Sequence, residues 1–98
     1  MAQPFYFGPY LSITTGGLGP GESEEWTFGP FGWQDSAVTV TAHPLGGHVI
    51  GDRQLTVTDL RIQNRATGEG EAQFVHCTVR NTGRDSTNVS VIVAGIKP

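Results

Sequence analysis

Punctuation by glycine and proline constrains this chain more than any other feature. Fourteen glycines and six prolines leave only two stretches of a dozen residues or more free of both, 52–67 and 71–82. Within a helix each glycine costs about 1 kcal/mol and each proline about 3 kcal/mol relative to alanine, so a helix has few places to form. Both long stretches alternate in the manner of strands. Leu55, Val57, Leu60 and Ile62 are interleaved with Thr56, Thr58 and Arg61, and Phe74, Val75, Cys77 and Val79 follow a near two-residue period.

The parity of these side chains carries a further expectation. Leu55 and Val57 occupy odd positions, whereas Leu60 and Ile62 occupy even ones. A strand can keep both pairs on one face only if an extra residue is inserted between them, so a bulge or change of sheet is predicted near Thr58 or Asp59. Val38, Val40 and Ala42 alternate cleanly with threonines, as do Val89, Val91 and Val93 with Ser90. The opposite face of the last strand, Ile92, Ala94 and Ile96, is apolar too. A strand apolar on both faces is central or is covered by a neighbouring chain.

Further strands are expected at 10–14 and 24–28, with loops at 16–21, 44–51, 65–70 and 81–83. Short strands at this spacing, without helical segments between them, favour a β-sandwich over an α/β fold. At 98 residues and 37% hydrophobic content the chain supplies one modest core, so a single domain over 1–98 is predicted.

Charge and motif content exclude several functions. Six Lys+Arg against nine Asp+Glu, with no basic run, is the wrong balance for a phosphate backbone, so no nucleic-acid partner is expected. No segment has the roughly 20 apolar residues of a membrane span. The opening residues, 1–10, lack the basic and apolar regions of an export signal, which suggests the cytoplasm or non-classical export. Cys77 is the sole cysteine, which rules out an internal disulfide; within its apolar strand it reads as a small buried hydrophobe. His43, His48 and His76 lack metal-ligand spacing, Glu22, Glu24 and Glu25 read as a solvated strand edge, and no nucleophile motif surrounds Ser36. No cofactor, metal or catalytic residue is expected.

The segment 73–83, with its Phe74-Val75-His76-Cys77-Thr78-Val79-Arg80-Asn81-Thr82-Gly83 run followed by strand 87–96, resembles the strand and turn of CARDB-like and fibronectin-III-like bacterial sandwich modules. The resemblance implies an immunoglobulin-like antiparallel β-sandwich of about six to eight strands and an adhesion or spacer role. The Asn-x-Gly ending is expected to reflect a turn that needs residues tolerant of positive φ.

One internal echo remains: Phe7-Gly8-Pro9-Tyr10 and Phe28-Gly29-Pro30-Phe31 share an aromatic-Gly-Pro-aromatic pattern. The simplest reading is that each Gly-Pro breaks a strand while the aromatics cap the core. A sharper reading starts from the density of the second copy, where Trp26, Phe28, Phe31 and Trp33 fall within eight residues. Regular alternation cannot bury all four rings across Gly29, Pro30 and Gly32, so an exposed ring, Trp33 first, is expected to serve recognition. These four residues are the candidate ligand-binding set. The function expected is a non-catalytic binding module for a protein partner or for self-association, with carbohydrate binding or a structural assembly through edge strands as alternatives.

Overall fold

In the computed structural model, the structure describes residues 3–32, 36–45 and 51–97. Six strands follow in chain order: β1 (Gln3–Ser12), β2 (Ser23–Phe31), β3 (Ala37–Leu45), β4 (Leu55–Thr67), β5 (Gly70–Asn81) and β6 (Asn88–Lys97). Among the described residues there is no helix. The strands form two three-stranded sheets, sheet I in the order β1-β6-β3 and sheet II in the order β2-β5-β4, and every pairing is antiparallel.

The core lies where the two central strands face each other. Val75, Cys77 and Val79 of β5 and Val89, Val91 and Val93 of β6 are each no more than 1% exposed. Phe28 of β2 and Val40 of β3 complete the cluster, and Trp26, Phe31, Val38, Leu55 and Val57 pack around it. Burying each valine contributes roughly 1.5 kcal/mol or more, which explains why the β-branched alternation dominates these two strands. Gln73 lies on the same inner face at 1% exposure; its Nε2 reaches the Ser36 carbonyl at 3.5 Å, and its Oε1 has no hydrogen-bond partner among the described residues.

The bulge expected in β4 is present. Pairing with β5 shifts between Thr58 and Arg61, and Asp59 takes a φ of 53°. This inserts one residue and returns Leu60 and Ile62 by register to the inner side, where they lie beyond the core and stay exposed, at 39% and 43%. The strand then continues to Thr67, beyond the loop expected at 65–70, because Arg65, Ala66 and Thr67 pair with Ala72, Glu71 and Gly70. Thr67 closes the hairpin by donating from Oγ1 to the Gly70 carbonyl at 2.7 Å.

The two Gly-Pro pairs do not break strands, contrary to the simplest expectation. Each forms a bulge within a continuous strand. Phe7 pairs with Val93 and Tyr10 with Val91, while Phe28 pairs with Val75 and Phe31 with Gln73, so two residues oppose one in each case. Gly8 and Gly29 sit at φ 114° and 130°, and a Cβ on either would lie 2.8 Å from the carbonyl oxygen of Val91 or of Gln73. Only glycine fits this approach. The strand at 10–14 accordingly starts earlier, at Gln3. Pro44, placed in a loop by sequence, lies within β3, an edge strand on which a missing N–H is tolerated.

The two three-stranded sheets form a sandwich-like pair of layers, in which β1 and β3 flank β6 and β2 and β4 flank β5.

The Asn-x-Gly turn also has a different cause from the one expected. Neither Asn81 nor Gly83 takes a positive φ. Asn81 is fully buried and acts through its side chain: Nδ2 donates to the carbonyls of Leu18 and Asp85, and Oδ1 accepts from the Gly83 N–H, all at 2.9 Å. This ties the β5–β6 connection to the loop between β1 and β2.

Candidate functional site

Three of the four residues expected to bind a ligand come together. On β2, Trp26 pairs with Cys77, Phe28 with Val75 and Phe31 with Gln73, so all three share the inner face of sheet II. The bulge at Gly29-Pro30 makes this possible, because the extra residue brings Phe31 back to the side that regular alternation would deny it. Trp33 lies outside the described residues.

Across the open side of the sandwich β1 supplies the matching rings. Phe7 stacks on Phe31 at a centroid distance of 6.1 Å and 22°, and Tyr10 meets Phe28 at 5.2 Å. The ring before one bulge therefore packs on the ring after the other, in both directions. Trp26 stacks on Phe28 at 5.6 Å and donates from Nε1 to Glu24 Oε1 at 3.2 Å, while Ser12 Oγ donates to Glu24 Oε2 at 3.4 Å. The echoed motif is a seam that joins two edge strands across the layers. A groove of about 360 Å³ follows it, lined by Tyr10, Trp26, Phe28 and Phe31. Its rings are turned towards one another, whereas a sugar-binding platform presents a free flat face.

The outer faces of the two sheets differ sharply in chemistry. On sheet II the row Thr27, His76 and Gln63 is hydrogen-bonded throughout, with Thr27 Oγ1 and His76 Nδ1 at 3.1 Å and His76 Nε2 and Gln63 Oε1 at 3.1 Å. The Gln63 oxygen only accepts, so in this row Nε2 is the donor to it. The guanidinium of Arg65 lies 3.9 Å over the ring of Phe74 and shields it from water. The strands of sheet II hold Glu24, Glu25, Asp59, Arg61, Arg65, Glu71 and Arg80.

In the three strands of sheet I the one Asp, Glu, Lys or Arg is Lys97. Its register places it on the inner side, where its ammonium approaches the Phe5 ring at 5.6 Å. The outer face carries Tyr6 and Leu11 from β1, Ser90, Ile92, Ala94 and Ile96 from β6, and Thr39, Thr41 and the exposed His43 from β3. Tyr6 is 77% exposed, Leu11 53% and Ile96 50%. The sequence pointed to this face through Ile92, Ala94 and Ile96 but missed the share of β1. The overlooked signal is the charge map, since no charged residue precedes Glu22 and none falls between Asp35 and Asp52 or between Asp85 and Lys97.

His43 and His76, the two described histidines, do not converge. His43 lies on the outer face of sheet I, where its Nε2 meets Thr41 Oγ1 at 3.1 Å, His76 lies on that of sheet II, and His48 is outside the described residues. Among the described residues no three His, Cys, Asp or Glu side chains are grouped to hold a metal ion. Glu24 points into the seam and Glu22 turns back to accept from the Gly19 N–H, so the acidic residues 22–25 do not act as one cluster. Cys77 is buried beneath the seam, and burial pushes its thiol pKa up. No helix among the described residues is long and apolar enough to cross a membrane. Comparison with protein-family models, with curated proteins and with solved structures gives no match.

Proposed function

We propose that this chain is a non-catalytic interaction module that binds a protein surface through the outer face of sheet I. The observation that carries this reading is the segregation of charge: one sheet holds no Asp, Glu, Lys or Arg on its outer side and exposes large apolar side chains there, while the outer side of the other carries Glu25, Arg61 and Arg80. Contiguous exposed apolar surface of this kind marks an interaction site on a folded protein. The aromatic seam has a supporting role, holding β1 on the sandwich and so placing Tyr6 and Leu11 on that face. An adhesion or spacer role fits the same arrangement.

A photoreactive benzoylphenylalanine in place of Leu11 on sheet I, or of the exposed Thr58 on sheet II, tests the reading in extracts of the source cells. A discrete adduct is expected from position 11 and not from position 58. Adducts from position 58 alone, or from neither, overturn it.

A further inference from the structure

We propose that the occupant of this face is a second copy of the chain, packed outer sheet I against outer sheet I about a two-fold axis that runs along β6. This rests on the interaction-module reading above and names its partner.

Charge argues first. With six Lys+Arg against nine Asp+Glu, each copy carries a formal charge of -3, and contact between two copies is least opposed where the facing surfaces hold no carboxylates. The outer face of sheet I is such a surface, and the complement of an uncharged apolar face is another of the same kind.

The relief of the face is self-complementary. Tyr6 projects from β1 in the row Tyr6, Ala94 and Thr39. On the other side of β6 a shallow depression is lined by Ala37, Thr39, Ala94 and Ile96. A two-fold axis parallel to the strands preserves the rows, lays β1 over the β3 of the second copy, and sets Ile92 near the axis. Tyr6 of each copy then enters the depression of the other. Both contacts are satisfied at once, as an isologous interface requires, and the strands stay aligned as in other packed sheets.

Edge-to-edge assembly, the other route to self-association, is obstructed on all four edge strands. Bulges with a proline interrupt β1 at Gly8-Pro9 and β2 at Gly29-Pro30, Pro44 interrupts β3, and the Asp59 bulge interrupts β4. Each device removes a donor or twists the edge away from a new strand.

Sedimentation equilibrium of the full chain from micromolar to millimolar concentration tests the proposal. A reversible dimer is expected. Tyr6→Glu places a carboxylate in the interface twice and is expected to raise the dissociation constant at least a hundredfold, while Thr58→Glu on sheet II leaves it within twofold. Leu11→Glu gives the same reading should Tyr6→Glu fail to fold. A wild-type chain that stays monomeric, a dimer that survives both sheet I variants, or one lost in Thr58→Glu overturns the proposal. If the photoreactive residue at position 11 instead joins a different protein, the second copy is refuted and the interaction module stands; if it joins nothing, both fall.

Discussion

Replacing Asn81 by alanine tests whether the side-chain hub, and not the backbone conformation, accounts for the Asn-x-Gly signature. The substitution leaves the carbonyls of Leu18 and Asp85 and the N–H of Gly83 without the partners they hold at 2.9 Å. At about 1 kcal/mol net for each lost hydrogen bond, the expected cost is about 3 kcal/mol. That is a large share of the roughly 5 to 15 kcal/mol available to a small domain, and it corresponds to a fall in Tm of about 12 to 24 °C. Urea denaturation followed by tryptophan fluorescence, at a concentration where the chain is monomeric, gives the change directly. Asn81→Asp sharpens the test. The introduced carboxylate cannot donate to either carbonyl at neutral pH, so it is expected to cost more than alanine. Its folded-state pKa is raised above the unfolded value, so the loss is present above that pKa and shrinks as acidification restores a donor. A loss below about 1 kcal/mol in Asn81→Ala, or an Asn81→Asp variant as stable as the parent, refutes the hub.

Four further outcomes are expected. Gly8→Ala and Gly29→Ala should each cost about 1 to 3 kcal/mol in thermal unfolding, while Gly68→Ala, where a Cβ meets nothing within 4 Å, should be nearly silent. Cys77, at 1% exposure, should react with thiol reagents slowly when folded and fast in denaturant. Because its thiol pKa is raised by burial, the unfolded chain releases the proton first as pH climbs, so stability should fall above the ordinary thiol range of about 8.5, and Cys77→Ala should abolish that alkaline slope. Trp26→Phe should cost about 1 kcal/mol by removing the indole bond to Glu24, measured by urea denaturation.

Much of the fold was legible in the sequence because its signals are local. Alternation in 71–82 and 87–96 placed the two central strands, and the parity break between Val57 and Leu60 placed the bulge, since both follow from which face a side chain occupies. Strand order was not legible. That β6 lies between β1 and β3 depends on pairing across long separations, which no local pattern records. The Gly-Pro pairs misled for a related reason: proline after glycine signals interruption in an isolated chain, yet on an edge strand a bulge absorbs it and the pairing resumes. The site was half legible. The aromatics of β2 were found as a group, but the bulge that turns them all inward gives them to the seam, and the face that remains exposed is built largely by strands that carry no conspicuous motif.

The uncharged sheet and the interrupted edges make sense only together. A sheet with no charge on its outer face and open edges would add strands without limit, because each added chain would present a fresh edge. Interrupting β1, β2, β3 and β4 closes that route while leaving the flat face intact. Association through the face is of a different kind. Once two copies lie sheet I to sheet I, each has used the surface that attracts the other, and the polar outer faces of sheet II, with Glu25, Arg61 and Arg80, are all that the pair presents above and below. An isologous contact of this sort ends at two copies. Restoring a clean edge should therefore change the product and not merely the affinity. With Pro9→Val the β1 edge regains a donor, and the expected result is a concentration-dependent series of larger species in sedimentation velocity. A variant that remains a simple dimer would show that the bulge at Gly8, with or without the proline, is enough to close the edge.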